Sequence, residues 1–403
     1  MDEEQGGHPY ILARPEVTMD FATLALITLI GLVGPLLALP RRWQLPVVLG
    51  ELGAGIVLGP TGLGRLDAGD STFTFLADIG FALVMFVAGS RVPIRDRNLR
   101  AGLGAGALRA VGVGVAAAAL GVVIANGFGT GHAAMYAILM ASSSAALVLP
   151  IVDSLHLGGT HVLRMLSQVA VADTASIVAL PLAIDPKHAG RAALGALAVT
   201  GCAVALYFGL RYIESTGIRR RVHHVSEERK FAIELRVNLT ILFALAALAV
   251  RTHVSIMLAG FSFGLAVAAV GEPRRLARQL FAVTDGLFAP LFFVWLGASL
   301  NLRDLGRHPS YAVLGVALGA GALAAHTAMR LTGQPLAIGA LAAAQLGVPV
   351  AAVTVGTQQH LLHPGEGAGL LLGALITIAA AVACGGVAAR AGWMAEPSRA
   401  DRP

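Results

Sequence analysis

The chain is a succession of apolar runs, each roughly 20 residues long, divided by short polar breaks. Such runs present no polar face to water, so they do not suit the alternating surfaces of a soluble core. Inside a bilayer every backbone N–H and C=O must find its partner within the protein, which leaves α-helices for segments of this length. About thirteen spans are expected on this criterion. They lie near residues 20–39, 44–60, 73–90, 102–125, 132–152, 164–184, 191–212, 231–250, 254–270, 281–300, 311–330, 335–358 and 367–389. Composition agrees: 56% of residues are hydrophobic, 13% are charged and mean hydropathy is +0.75, which excludes an ordinary soluble domain.

The net charge of +6 is explained by orientation rather than by nucleic acid. With the N-terminus outside, the cytoplasmic loops collect Arg41 and Arg42, then Arg91, Arg95, Arg97 and Arg100. They also take the cluster Arg219, Arg220, Arg221, Arg229 and Lys230, and then Arg274, Arg275 and Arg278. The opposite loops hold scattered cations such as Arg65, Lys187 and Arg251. This positive-inside bias puts the C-terminus in the cytoplasm of a multi-pass cell-membrane protein. The first eighteen residues carry Asp2, Glu3 and Glu4 in place of a basic leader, so the first run is expected to stay as a span. Cys202 and Cys384 both fall within expected spans and indicate neither a disulfide nor a metal site.

Two segments recur across the halves. Residues 49–55 (LGELGAG) match 258–264 (LAGFSFG), and 81–89 (FALVMFVAG) match 288–297 (FAPLFFVWLG), at an offset of roughly 207–209 residues. This offset carries one span past seven others, so the two copies run oppositely through the membrane, as inverted repeats do. The expected organisation is an extracytoplasmic tail at 1–18, a first repeat with a linker helix at 19–212, and a basic cytoplasmic linker at 213–230. A second repeat at 231–393 and a cytoplasmic tail at 394–403 complete it.

Two spans in equivalent places carry residues that interrupt a helix. Ser142, Ser143 and Ser144 in the fifth compete for backbone partners, and Pro349 in the twelfth removes a donor and clashes with the preceding turn. Irregular backbone at membrane depth is tolerated only where it lines a cavity or is packed within protein. Ser143 pairs with about position 350 on the repeat offset. Crossed broken helices set half-helix termini face to face, where their partial charges stabilise a carboxylate or a stripped cation.

Asp173 lies in the middle of the apolar run 166–180. A carboxylate near the bilayer centre costs on the order of 2.5–3.5 kcal/mol on insertion scales, so it marks function. Protonated or cation-bound it crosses the membrane neutral, whereas bare it is held back by desolvation. Ser143, Ser144, Thr174 and Ser176 are candidate oxygen ligands, because a hard monovalent cation needs oxygens to replace its water. Gln168 is a candidate for hydrating the pathway, and His326 for a proton relay or helix packing. Glu51 reads as a structural acid answering Arg109 or Arg236, and Asp285 as interfacial.

The chain resembles the monovalent cation:proton antiporter-2 family, with the sodium/proton-exchanger fold and a Kef-like membrane domain without a regulatory domain. The carriers are PVVLGELGAGIVLGP at 46–60, MFVAG at 85–89, SSSAALV at 142–148, the segment around Asp173, and LFFVWLG at 291–297. The resemblance covers about 19–390. It implies an all-α fold with two crossed discontinuous helices, a six-helix core domain, a separate dimerisation domain that makes a homodimer, and elevator-like alternating access. It implies that Asp173 is the shared site for the proton and the monovalent cation, sodium or potassium, with Ser143 and Ser144 beside it, and that no cofactor is needed. Two positions depart from the family. Ala172 stands where electrogenic members carry a second acid, and Gly319, Ala320, Gly321 and Ala322 stand where many carry a buried lysine. Losing both halves of a charged pair together is coherent, since either alone is an unpaired buried charge. One carboxylate remains, which suggests one proton per cation, and the same departures open the alternative of a proton-coupled exporter of another ion. An intramembrane protease is the rival class, but no paired-aspartate or nucleophile motif supports it.

Overall fold

The computed structural model describes residues 19–39, 47–91, 97–184, 189–216, 233–252, 254–271, 274–300 and 302–393. The expected tails at 1–18 and 394–403, the loop with Arg41 and Arg42, and most of the basic linker lie outside the described residues. The described chain is α-helical. In order it comprises α1 (Phe21–Gly31), α2 (Val33–Ala38), α3 (Val47–Leu58), α4 (Ser71–Ser90), α5 (Arg97–Phe128), α6 (Ala133–Ala141), α7 (Ala145–Ser154), α8 (Thr160–Ile184) and α9 (Ala189–Ser215). The second half comprises α10 (Ile233–Arg251), α11 (Ile256–Val270), α12 (Arg274–Val283), α13 (Ala289–Ser299), α14 (Leu302–Arg307), α15 (Pro309–Thr327), α16 (Leu336–Ala342), α17 (Gly347–Gln358) and α18 (Glu366–Arg390). A π-helical turn, Thr284–Phe288, joins α12 to α13, and a 3₁₀ turn, Ala328–Thr332, follows α15.

Nine helical segments among the described residues, with the interrupted α16 and α17 counted as one, are long and apolar enough to cross a bilayer, and Phe21–Leu37, Val47–Leu58 and Ile256–Val270 are shorter apolar segments. Together with the interrupted pair α6 and α7 they fill every span expected from the sequence. Helix starts are set locally. Asp70 accepts from the Phe73 amide at 2.8 Å ahead of α4, and Asp20 from the Thr23 amide at 2.7 Å ahead of α1. Each satisfies a donor that the helix itself leaves orphaned.

The inverted repeat appears in the packing. Helix α3 lies on α13 where Gly55 faces Gly297, and α11 lies on α4 where Gly264 faces Gly89. A Cβ on Gly55 meets Gly297 Cα at 2.9 Å, and one on Gly89 meets Gly264 Cα at 3.2 Å. In both pairs the added carbon also runs into a carbonyl oxygen of the facing helix, Val294 in one and Phe261 in the other. The two contacts are images of each other under the sequence offset. Small residues let backbones approach where lipid supplies no hydrophobic drive between helices. Phe81 stacks on Phe292 with ring centroids 4.8 Å apart, tying α4 to α13.

The second bundle, α5 to α8 with α15 to α18, holds both interrupted helices. It meets the first at Gly347, where the thioethers of Met85 on α4 and Met257 on α11 lie 3.6 Å from the position of a Cβ. Asp285, in the π turn, lies at the surface as expected and pairs with Arg91 at 3.8 Å. Arg91 also sits over the Phe281 ring at 4.4 Å.

Gly297→Val is expected to force α3 off α13 and to destabilise the fold by about 1–3 kcal/mol. Gly201→Ala, where a Cβ meets nothing within 4 Å, is expected to be neutral or to stabilise by up to ~1 kcal/mol. Melting temperatures of the two variants in detergent check this pair.

Candidate ion-binding site

The two interruptions meet. α6 ends at Ala141 and α7 restarts at Ala145, while α16 ends at Ala342 and α17 restarts at Gly347. The freed backbone groups find partners across the crossing, as hydrocarbon depth demands. The Ser144 amide donates to the Ala344 carbonyl at 2.7 Å, and the Ser143 hydroxyl to the Ala342 carbonyl at 2.7 Å. Ser142 Oγ lies 2.6 Å from Gln345 Oε1. All three serines and Gln345 are buried.

Pro349 is not the breaker. The second interruption falls at 343–346, so Ser143 corresponds on the repeat to residues near 345 rather than 350, and the offset is shorter here than in α3 and α4. Pro349 sits in the first turn of α17, where a missing N–H costs nothing because the helix has no acceptor for it there. The non-helical segment before it, from Ala343 to Leu346, is held by bonds to the serine segment.

Asp173 is at the middle of α8 and is 8% exposed. Its Oδ2 accepts from the Ala145 amide at 2.9 Å. Ala145 is the first residue of α7, so the carboxylate sits on the positive end of a half-helix and satisfies one of its orphan donors. The equivalent end of α17 is different: at Gly347 the neighbours are the thioethers of Met85 and Met257.

The other expected residues divide. Ser176 is buried and lies about 60° round α8 from Asp173, on the same face. Thr174 is turned away by about 100° and its hydroxyl donates to the Ala170 carbonyl at 2.8 Å in its own helix. Ser143 is engaged across the crossing. Gln168 is buried but about 140° round the helix from Asp173, with its backbone against Gly106 of α5. It does not join the carboxylate. Glu51 is buried on α3 in the other bundle, and the charge acting on it is Asp285 rather than an arginine. Arg109 instead donates through Nε to the Thr332 hydroxyl at 3.0 Å, and Arg236 is exposed. The expected pairing of Glu51 with either arginine is therefore not formed.

His326 is fully buried on α15, beside the carbonyls of Met140 and Ser142 at the end of α6. Where the stretch 319–322 lacks a lysine, Met140 fills the space: its sulfur lies 2.5 Å from the position of a Cβ on Gly321. The Ala145 amide was not legible as a site group, although its place directly after the serine run marks it as the start of a helix. A second cluster was missed altogether: Glu366, buried at the start of α18, with His132 and Tyr136 of the α6 segment.

Comparison with known proteins now gives the class. The transmembrane sodium/hydrogen exchanger family matches residues 25–391, and the chain belongs to it. It is 26% identical over 276 residues to a probable Na(+)/H(+) antiporter 3 of Methanocaldococcus jannaschii, covering 65% of this chain and 68% of that protein. It is 30% identical over 309 residues to the glutathione-regulated potassium-efflux system protein KefC of Klebsiella pneumoniae, covering 73% of this chain and 48% of that one. The fold is that of the sodium proton antiporter MjNhaP1 from Methanocaldococcus jannaschii, with a TM-score of 0.64, 16% identity, and 92% and 96% of the two chains covered.

Ser143→Ala is expected to leave the Ala342 carbonyl without its donor and to cost about 1–2 kcal/mol. Thr174→Ala removes a bond made only within α8 and is expected to shift stability by less than about 0.5 kcal/mol. Thermal unfolding in detergent separates the two.

Proposed function

We propose that this protein exchanges a monovalent cation, sodium or potassium, for protons by alternating access, with Asp173 as the site that both ligands claim. The observation that carries the reading is the Asp173 carboxylate, buried in the crossing and bonded through Oδ2 to the first amide of α7 at 2.9 Å. That bond fixes the carboxylate, and its other oxygen remains for a proton or an ion. Ser176 on the same face of α8, and Ser144 at the interruption, are the oxygens closest in sequence logic to complete an ion's shell.

The charge balance favours one proton per cation. Residue 172 is an alanine and Met140 fills the space over Gly321, so among the described residues neither position adds a charge beside Asp173, which supports a carrier that is neutral in both loaded forms. The names of the relatives support both sodium and potassium. The same two departures support the second reading, a proton-coupled exporter of a different ion at the same carboxylate. On the positive-inside bias the N-terminus is extracytoplasmic and the C-terminus cytoplasmic. The assembly proposed is a homodimer in the cell membrane, for which cross-linking in native membranes is the test.

Purified protein in liposomes is expected to move protons against an imposed sodium or potassium gradient, and Asp173→Asn to abolish that movement with its melting temperature preserved. Undiminished exchange in the variant removes Asp173 from the mechanism. Clamping the membrane potential with valinomycin is expected to leave the rate unaltered. A marked dependence on potential rejects one-for-one exchange.

A further inference from the structure

At the start of α18, away from the interruptions, a carboxylate with no exposure at all sits among three donors. Glu366 opens α18; its Oε1 lies 2.6 Å from the Tyr136 hydroxyl and 2.7 Å from His132 Nδ1, and its Oε2 accepts from the His363 amide at 3.0 Å. His132 precedes the first residue of α6, and Tyr136 lies one turn inside it. The cluster therefore ties the outer end of α6 to the outer end of α18. On the orientation proposed above, that end is extracytoplasmic.

The position of the tie gives it a consequence. α6 is a half-helix of nine residues, about 13 Å long. A continuous span is held at both membrane faces, but α6 has this tie at one end and the crossing at the other. Its inner end carries Ser142, bonded at Gln345, and the carbonyls beside His326. Helix α6 also packs on α5, α8 and α15 along its length, and the tie adds a fixed outer end from which the interruption beside α7 and Asp173 is positioned.

We propose that Glu366, His132 and Tyr136 form a clamp that positions α6 for cation binding, and that protons on the extracytoplasmic side keep it closed. The inference rests on the exchange function proposed above and adds a regulatory input to the same site. His132, just ahead of α6, has 23% of its side chain exposed, while Glu366 is sealed. A sealed carboxylate needs a charged partner more than a neutral one, because the tyrosine and amide donors offset only part of its desolvation. The other groups that face the cluster are Tyr311 on α15, which acts on Glu366, and the uncharged Thr130 ahead of α6. His363 contributes its backbone, with its ring centroid 5.9 Å from that of His132.

The hydrogen bond to Glu366 holds the His132 pKa above its ordinary 6.5. A raised histidine pKa means that the clamp is complete below 6.5 and is lost as the outer pH climbs through the elevated value. External alkalinity thus releases α6.

Hydrogen exchange on the full-length protein tests the clamp without transport, in an Asp173→Asn background that removes titration at the ion site. Amides 133–141 are expected to lose about tenfold in protection, beyond the intrinsic rate change, between about pH 6 and about pH 9. Adding Glu366→Gln, which keeps the shape and removes the charge, is expected to flatten this response. In vesicles with sodium, then potassium, as the cation and inner pH fixed, Glu366→Gln alone is expected to raise the half-saturating cation concentration at least about fivefold at acid outer pH. It is also expected to lose the part of the outer-pH response that His132 supplies. An identical α6 response with and without Glu366→Gln overturns the clamp. Wild-type half-saturation and pH profile in Glu366→Gln overturn its positioning role. A chain with the expected α6 response that moves neither cation refutes the exchange function instead.

Discussion

The bond from the Ala145 amide to Asp173 joins two things that a membrane protein finds expensive: a half-helix end and a carboxylate in a low-dielectric interior. Each offsets the cost of the other. The orphan donor of α7 finds an acceptor, and the carboxylate finds a fixed partial positive charge that needs no buried cation beside it. This explains how the chain dispenses with both a second acid at Ala172 and a lysine near Gly321. The end of the half-helix supplies Asp173 with a favourable partial charge without adding a titratable group. One carboxylate at the crossing is the basis of the one-for-one exchange proposed above.

The frame around that bond is built from close backbone contacts. The Gly55–Gly297 and Gly264–Gly89 pairs are the same contact made twice by the inverted repeat, one joining α3 to α13 and the other α11 to α4, and the Phe81–Phe292 stack ties the two pairs together. The crossing obeys the same symmetry in outline but not in chemistry. At the start of α7 there is a carboxylate, and at the start of α17 there are two methionine sulfurs at van der Waals distance. Methionine suits a face that has to slide or repack, because the thioether adapts to several shapes without polar loss. The asymmetry puts the chemistry in one half of the repeat and the contact with the other bundle in its counterpart.

Much of this was legible in the sequence because lipid permits so few solutions. Apolar runs of span length specify helices, so every expected span is present, and a lone acid in such a run announces itself. The sequence was weaker wherever the decisive group belonged to the backbone or to a distant element. Pro349 drew attention as a breaker, yet proline at a helix start is benign, and the non-helical segment is held by bonds to serines in the other half. The roles expected of Ser143 as a ligand and of Gln168 as a pathway group depend on contacts that only the folded chain supplies. Ser143 donates to Ala342, and Gln168 turns toward α5. Glu366 and His132 are 234 positions apart and each looks like a helix end or loop residue alone. Only the packing of α6 beside α18 brings them together.

If proton and cation compete for one carboxylate, binding the ion must expel the proton, whether or not anything crosses a membrane. The direct measurement is proton release from weakly buffered, purified protein on addition of sodium or potassium, followed across pH. The account predicts release of one proton per bound cation at the acid end of the working range, and none from Asp173→Asn. Cation binding that releases no proton, or equal release from the variant, contradicts it.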